Sequence, residues 1–345
     1  MLNEIKNKID KELKILSKNI DRIYSLNKIS PLLSRNIKEF ILRDGKRARP
    51  ILFIIGYLGF SKKPASGLFK SALSIELLHD FMLIHDDIID KSDTRRGKPS
   101  MHKIFNTHLE KFKNIKFNGQ DLSIVAGDVL YAIAIDTFIS IKENPSRKEK
   151  ALKKFIEAAI YTGSGEFIEL LYGTKNIDEI TKEDIYKIYT YKTAHYTFAC
   201  PLSIGAILAG TGQFQIDLIC KYGSCLGKAF QIKDDILGMF AQESETGKSP
   251  LVDLQEAKKT ILVWYAYKHS NSKNKKIIKN IFSKEKITAL DLSKMREIIT
   301  HSGALKFAET EIISLTNKAL AMINSSRMKK AYKDFLYAYS KKILD

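Results

Sequence analysis

Residues 79–97 read HDFMLIHDDIIDKSDTRRG, and the fold is decided by how this stretch is read. Leu77, Leu78, Phe81, Met82, Leu83, Ile84, Ile88 and Ile89 make it largely apolar, as expected inside a domain, yet it carries Asp86, Asp87 and Asp90. On a helix Asp86 and Asp90 are one turn apart and share a face, with His79 two turns earlier on the same face. Buried carboxylates side by side repel one another and lose hydration. A divalent cation removes both problems, and hard oxygen donors favour magnesium or calcium over zinc. Just beyond Asp90 the chain supplies Arg95, Arg96 and the turn former Gly97. Metal-binding carboxylates beside paired arginines suit a diphosphate, which takes both a bridging metal and fork-shaped donors. A solvated acidic helix end followed by a basic loop is the plainer alternative; the apolar flanks argue against it.

Working outward, periodicity of three to four residues dominates, as in Leu2, Ile5, Ile9 and Leu13 or Ile37, Phe40 and Ile41. No alternating strands or hairpin signals stand out, so the fold class is all-α. The 345 residues suffice for one large domain or two ordinary ones, and 44% hydrophobic content can fill a substantial core. Cys200, Cys220 and Cys225 lack metal-site spacing and read as reduced core thiols of a cytosolic, cytoplasmic protein. The N-terminus has no apolar signal region, and no run is apolar and long enough to span a membrane. The net charge of +18 comes mostly from scattered lysines without a nucleic-acid motif, which disfavours nucleic acid as a partner and suits anionic substrates.

In chain order, Asp44-Gly45-Lys46-Arg47-Ala48-Arg49-Pro50 separates two helices, and Lys46 and Arg49 can point to one anion near a helix start. Lys98 through Gln120 reads as an exposed connection, 124–138 as a core helix, and 144–150 as a polar linker. Gly163-Ser164-Gly165 opens or kinks the next helix, where Glu166 and Glu169, three apart, face either the metal site or solvent. Thr181 to Asp184 reads as a capped helix start leading into Tyr186, Tyr189, Tyr191, Lys192 and Thr193. Lys192 among aromatics calls for an anionic partner or snorkels to solvent. A second aspartate pair, Asp234-Asp235, sits in an apolar helix with Gln231 on a shared side. Lys248 follows in a basic loop, and Asp253, Lys258 and Thr260 on the next helix; 268–276 reads as a lysine-rich connector, and Trp264 as core.

The motifs GKRARP, HDDIID–RRGKPS, AGDVL, Lys192-Thr193, FQIKDD and GKSPLVDLQEAKKT, in that order, resemble the trans-isoprenyl diphosphate synthases, the polyprenyl synthetase family. The resemblance runs from about Lys46 to the C-terminal helices. It implies a single domain over 1–345 with the isoprenoid synthase fold, antiparallel helices around a deep central cavity, in a homodimer. It also implies Mg2+, three per site, and condensation of isopentenyl diphosphate with an allylic diphosphate. Asp86, Asp90 and Asp234 resemble the metal ligands, and Asp87 and Asp235 supporting carboxylates. Arg95, Lys192, Gln231, Lys248 and Lys258 resemble the allylic diphosphate site, with Thr193 stabilising the cation. Gly45, Lys46, Arg49, His79 and Arg96 resemble the isopentenyl diphosphate site.

Three features depart from the family pattern: Gly238 in place of a third aspartate, Glu166 and Glu169 where Gln and Asp are common, and a longer stretch between Arg96 and Gly127. Product length is expected to depend on Phe81 and Met82, with an aromatic five residues before the first aspartate resembling geranylgeranyl diphosphate synthases. Farnesyl and twenty-five-carbon products, and a non-catalytic subunit of a heteromeric prenyltransferase, are the alternatives. A terpene cyclase would lack the Lys46, Arg49 and Arg96 set.

Overall fold

The computed structural model describes residues 1–241 and 251–344, with the side chains of 252, 253, 343 and 344 excepted. Lys248 and the loop around it lie outside the described residues. Contacts divide the chain into two compact units, Met1–Phe155 with Ile207–Gly210, and Ile156–Ala206 with Thr211–Asp345.

The first unit is built from α1 (Leu2–Tyr24), α2 (Leu26–Ile29), α3 (Pro31–Ile41), α4 (Ala48–Leu58), α5 (Leu68–Ile89), a hairpin of β1 (Thr94–Arg95) and β2 (Lys98–Pro99), α6 (Met101–Leu109), α7 (Gly119–Phe138) and the first turns of α8 (Pro145–Thr174). Helix α1 buries Ile5, Ile9, Leu13, Leu16 and Ile20, a stripe at helical spacing. Helix α5 is apolar around most of its circumference and is packed by α4, α1 and α7. That packing is why carboxylates on α5 become buried.

The second unit holds the rest of α8, a short 3-10 turn (Ile177–Glu179), α9 (Lys182–Ile188), a π-helical segment (Tyr189–Ala199), most of α10 (Cys200–Leu208), α11 (Gln213–Phe240), α12 (Val252–Gln255), α13 (Ile261–His269), α14 (Ser272–Phe282), α15 (Ala289–His301), α16 (Ala304–Ser325) and α17 (Lys330–Leu344). Helix α11 packs against α16 and the π-helical segment.

Several expectations are corrected. The stretch Lys98 to Gln120 is not one exposed connection: Met101, His102, Phe105 and Leu109 are buried on α6, and Asn118 with Asp121 forms a capping box that starts α7. Residues 145–150 are helical, because the Asn144 carboxamide accepts from the Ser146 and Arg147 amides at 3.0 and 3.3 Å and Pro145 fits a first turn. Of the two readings of Gly163-Ser164-Gly165, opening a helix is excluded, since the three lie within α8. The connector expected at 268–276 shrinks to Ser270-Asn271, since Asn271 caps α14. Lys258 follows α12 instead of riding on it, and Thr260 caps α13. Cys200 is buried and in no disulfide, whereas Cys220 and Cys225 are half-buried. Trp264 is half-buried, its indole N–H donating to the Ile180 carbonyl at 3.0 Å. The hairpin has two-residue strands, too short for any alternation to show in sequence. Elsewhere the expectations hold: Thr181 and Asp184 cap α9 reciprocally, and the core helix at 124–138 is the body of α7.

Candidate active site

In the first unit α5 ends at the aspartates, with Asp90 as its C-cap. Asp87 is 1% exposed at its side chain and Asp86 26%. Arg95 reaches both, its Nε donating to Asp87 Oδ1 at 2.7 Å and Nη2 to Asp86 Oδ2 at 3.1 Å. Arg95 and Arg96 are delivered by the hairpin. Thr94 pairs with Pro99 and Arg95 with Lys98, leaving Arg96-Gly97 as the loop. A two-residue loop of this twist takes positive φ at both positions, and Arg96 and Gly97 have φ of 55° and 72°. Glycine adopts that conformation freely; for Arg96 it costs of order 1 kcal/mol, a strain typical of functional positions.

Arg43, which sequence reasoning passed over, clamps the hairpin to α3. Its guanidinium donates to the Arg95 carbonyl at 3.1 Å and the Pro99 carbonyl at 2.9 Å, while Glu39 holds its other edge.

The guanidinium of Arg96 turns away from Asp86. Its Nη2 lies 3.4 Å from Asp80 and 3.8 Å from Glu76, both buried on α5, while its buried Nη1 has no hydrogen-bond partner. Arg47 joins the same group: Nη1 donates to Glu76 at 2.8 Å, Nε to Asp10 of α1 at 3.1 Å and Nη2 to the Arg43 carbonyl at 2.7 Å. A Cβ at Gly45 would stand 3.3 Å from Arg47 Nη1 and 3.5 Å from Arg96 Cζ, so Gly45 lies against both forks. Burial, then the charges of Arg49, Arg96 and Arg95, hold His79 well below the usual imidazole range, leaving it neutral at pH 7. Arg49 is half-buried in the first turn of α4 and Lys46 is exposed just before it. Glu76, Asp80, Arg47 and Asp10 were missed. For Glu76 and Asp80 a signal was present: ionisable residues in an apolar helix, four apart.

Further along α5, Phe81 meets α7. Its ring stacks on Tyr131 with centroids 5.1 Å apart and meets His85 edge-on at 4.7 Å. A Cβ at Gly127 would come 2.5 Å from the His85 ring, so glycine lets the two helices close on these aromatics. Met82 is half-buried beside them in sequence.

In the second unit Lys192 and Thr193 sit on the π-helical segment, a wide turn often found at functional sites. Three glycines admit it: a Cβ at Gly165 would be 2.4 Å from Lys192 N, at Gly223 2.5 Å from Ala199 Cα, and at Gly227 2.4 Å from Ala194 Cα. Lys192 pairs with Glu166 at 2.6 Å and with Glu169. The two glutamates that depart from the family pattern therefore converge on this lysine. Thr193 donates to Gln231 at 2.7 Å, and Gln231 donates to Asp235 at 3.0 Å. Buried Asp235 also accepts from Tyr189, whose oxygen accepts the Ile261 amide at 2.9 Å. Burial, then Asp235, raises the Tyr189 phenol well above its usual range, so it remains a donor. Asp234, next to this anchored pair, is half-buried, and Lys258 pairs with Glu256 at 2.5 Å. Asp235 was expected as a supporting carboxylate; its partner Tyr189 was not singled out.

Carboxylate oxygens backed by Arg95, and a separate arginine group with a buried unpartnered donor, are suited to an all-α enzyme that handles diphosphates. The chain belongs to the polyprenyl synthetase family, whose pattern matches residues 30–299, and it is a prenyltransferase of that family. It is 34% identical to the geranylfarnesyl diphosphate synthase of Aeropyrum pernix over 277 residues, 79% of this chain and 80% of that one. It is 31% identical to the geranylgeranyl diphosphate synthase of Saccharolobus solfataricus over 259 residues, covering 74% and 72%. Its fold, the isoprenoid synthase fold, matches a Corynebacterium glutamicum geranylgeranyl pyrophosphate synthase complexed with isoprenyl diphosphate and magnesium. There the TM-score is 0.85 at 25% identity, covering 100% of this chain and 98% of that one.

Proposed function

We propose that the chain condenses isopentenyl diphosphate head to tail with an allylic diphosphate, giving a trans-polyprenyl diphosphate with geranylgeranyl diphosphate as its main product. The observation that carries this reading is Arg96. A buried guanidinium nitrogen without a partner is costly, and a phosphate oxygen satisfies it. Arg95 already serves the Asp86–Asp87 side, so the two arginines fit two different diphosphates.

Asp86, Asp90 and Asp234 are the residues that would hold magnesium. Their donors are hard oxygens, and Asp86, Asp90 and Asp234 are all half-buried rather than sealed. Among the described residues no group of three or more His, Cys, Asp or Glu stands ready as a cage. Magnesium typically takes one or two carboxylates and fills its shell with water and substrate phosphates, so this donor set fits it. When bound, the metal supplies Lewis-acid stabilisation of the departing diphosphate, worth several kcal/mol.

The chain's own residues do the rest. Arg95 fixes Asp87 and presents Asp86. Lys192, held by Glu166 and Glu169, supplies a cation to the allylic diphosphate, with Gln231, Lys248 and Lys258. The Thr193 hydroxyl, oriented by Gln231, faces the developing allylic cation. Arg96, Arg49, Lys46 and neutral His79 hold isopentenyl diphosphate for attack at near-attack distance. Apolar walls keep water from quenching the cation. The released diphosphate takes the final proton, so no side-chain base is required.

Phe81 and Tyr131 limit chain growth, which supports the twenty-carbon product. We place the enzyme in the cytosol as a homodimer; among the described residues no helix is long and apolar enough to cross a membrane. The test is to incubate purified protein with magnesium, isopentenyl diphosphate and labelled allylic diphosphates. Chain growth to twenty carbons supports the reading; cyclised product without isopentenyl consumption, or no turnover, refutes it.

A further inference from the structure

Behind the arginines of the isopentenyl diphosphate site lies a carboxyl group that the reaction above does not use. Asp80 is fully buried on α5, and neither of its oxygens has a hydrogen-bond partner. Its charged neighbours come from three parts of the chain: Glu76 on α5, Arg47 and Arg49 at the N-cap and in the first turn of α4, and Arg96 in the hairpin loop. Glu76 is already engaged by Arg47 at 2.8 Å. The contact left to Asp80 is Arg96 Nη2 at 3.4 Å. Gly45 lies against the same guanidinium, where an added Cβ would stand 3.5 Å from Arg96 Cζ and Nη2. One prong of the fork is thus placed by protein, and the buried Nη1 prong is left without a partner.

We infer that Asp80 is a positioning residue for the second diphosphate: it fixes Nη2 of Arg96 so that Nη1 is presented to isopentenyl diphosphate. This rests on the reading that Arg96 binds that substrate. The chemistry of Asp80 is suited to the task. Burial and the neighbouring Glu76 push its carboxyl up to about 8, so at pH 7 it is mostly neutral. A neutral acid orients the guanidinium through its carbonyl oxygen without cancelling the positive charge that the diphosphate requires. A full carboxylate at the same place would cancel it.

The test is steady-state kinetics of wild type, Asp80→Ala and Asp80→Asn with both substrates varied. Asparagine keeps an oxygen facing Nη2 and alanine removes it. At pH 7 we expect Asp80→Ala to raise KM for isopentenyl diphosphate about tenfold. KM for the allylic diphosphate stays within about twofold, and Asp80→Asn restores most of the loss. Equal rises in both KM values, no rise in either, or no rescue by asparagine would overturn the inference. A second measurement does not depend on the alanine variant folding. Between pH 7 and 9.5 the wild-type KM for isopentenyl diphosphate should climb as Asp80 ionises, while that of Asp80→Asn stays flatter. Parallel profiles would overturn it. Wild-type protein that makes no prenyl product at all would instead sink the proposed function itself.

Discussion

Arg95 and Arg96 are consecutive in the chain, yet their guanidiniums serve different carboxylates, Arg95 those of Asp87 and Asp86, Arg96 those of Asp80 and Glu76. The left-handed turn at Arg96 turns the second side chain away from the first. Each arginine should therefore affect a different substrate. Arg96→Gln should raise KM for isopentenyl diphosphate by roughly 30-fold, about 2 kcal/mol for a lost charge-assisted contact, with little change for the allylic substrate. Arg95→Gln should do the reverse and raise the magnesium concentration needed for half-maximal rate. Initial-rate kinetics with each substrate varied separately checks both.

The glycines around the π-helical segment predict a contrast in stability. Gly227→Ala places a Cβ 2.4 Å from Ala194 Cα, and backbone cannot yield as a side chain end can. A loss of about 1–3 kcal/mol is expected from overpacking. Gly163→Ala, on the same helix as Gly165 but with nothing within 4 Å of the added carbon, should gain about 0.5–1 kcal/mol. Urea denaturation of the two variants gives the comparison directly.

Asp80 makes stability depend on pH in a defined direction. Its carboxyl ordinarily ionises near 3.8, and in the folded protein it is pushed up to about 8. Between those values the folded protein holds a proton that the unfolded chain has released, so stability falls as pH rises through this window. Asp80→Asn should remove that fall. Denaturation midpoints of wild type and variant should diverge from pH 5 to pH 8.5, in favour of the variant; a constant difference would contradict the assignment.

The stacked pair Phe81–Tyr131 predicts that neither ring acts alone. Phe81→Ala should lengthen the products, and adding Tyr131→Ala should lengthen them further. Chromatographic sizing of the products reads this out, and an unchanged product ladder in both variants would remove the aromatic pair as the floor.

The parts of the fold and candidate site that sequence made legible are those whose signal is local. Asp86 and Asp90 declare themselves by helical spacing in an apolar run, Thr181 by its capping partner, and Arg95-Arg96 by charge beside a turn former. What escaped depends on distant partners. Arg43 meets the hairpin across more than fifty positions, Arg47 meets Asp10 from α1, and Tyr189 meets both Asp235 and the start of α13. Gly165, Gly223 and Gly227 gain their meaning only from backbone brought close by the fold. The π-helical turn at Lys192 has no pattern that periodicity alone could separate from an α-helix. Asp80 had a signal like that of Asp86, but its carboxyl meets Arg96 where that of Asp86 meets Arg95.

The proposed reaction requires both aspartate pairs, Asp86-Asp87 and Asp234-Asp235. The most direct measurement is kcat for Asp86→Asn, Asp234→Asn and the double variant at saturating substrates and magnesium. Each single variant should lose about a hundredfold or more, and the double should be little worse than the poorer single, as for groups that act as a unit. Wild-type turnover by either single variant, or losses that simply multiply in the double, would contradict it.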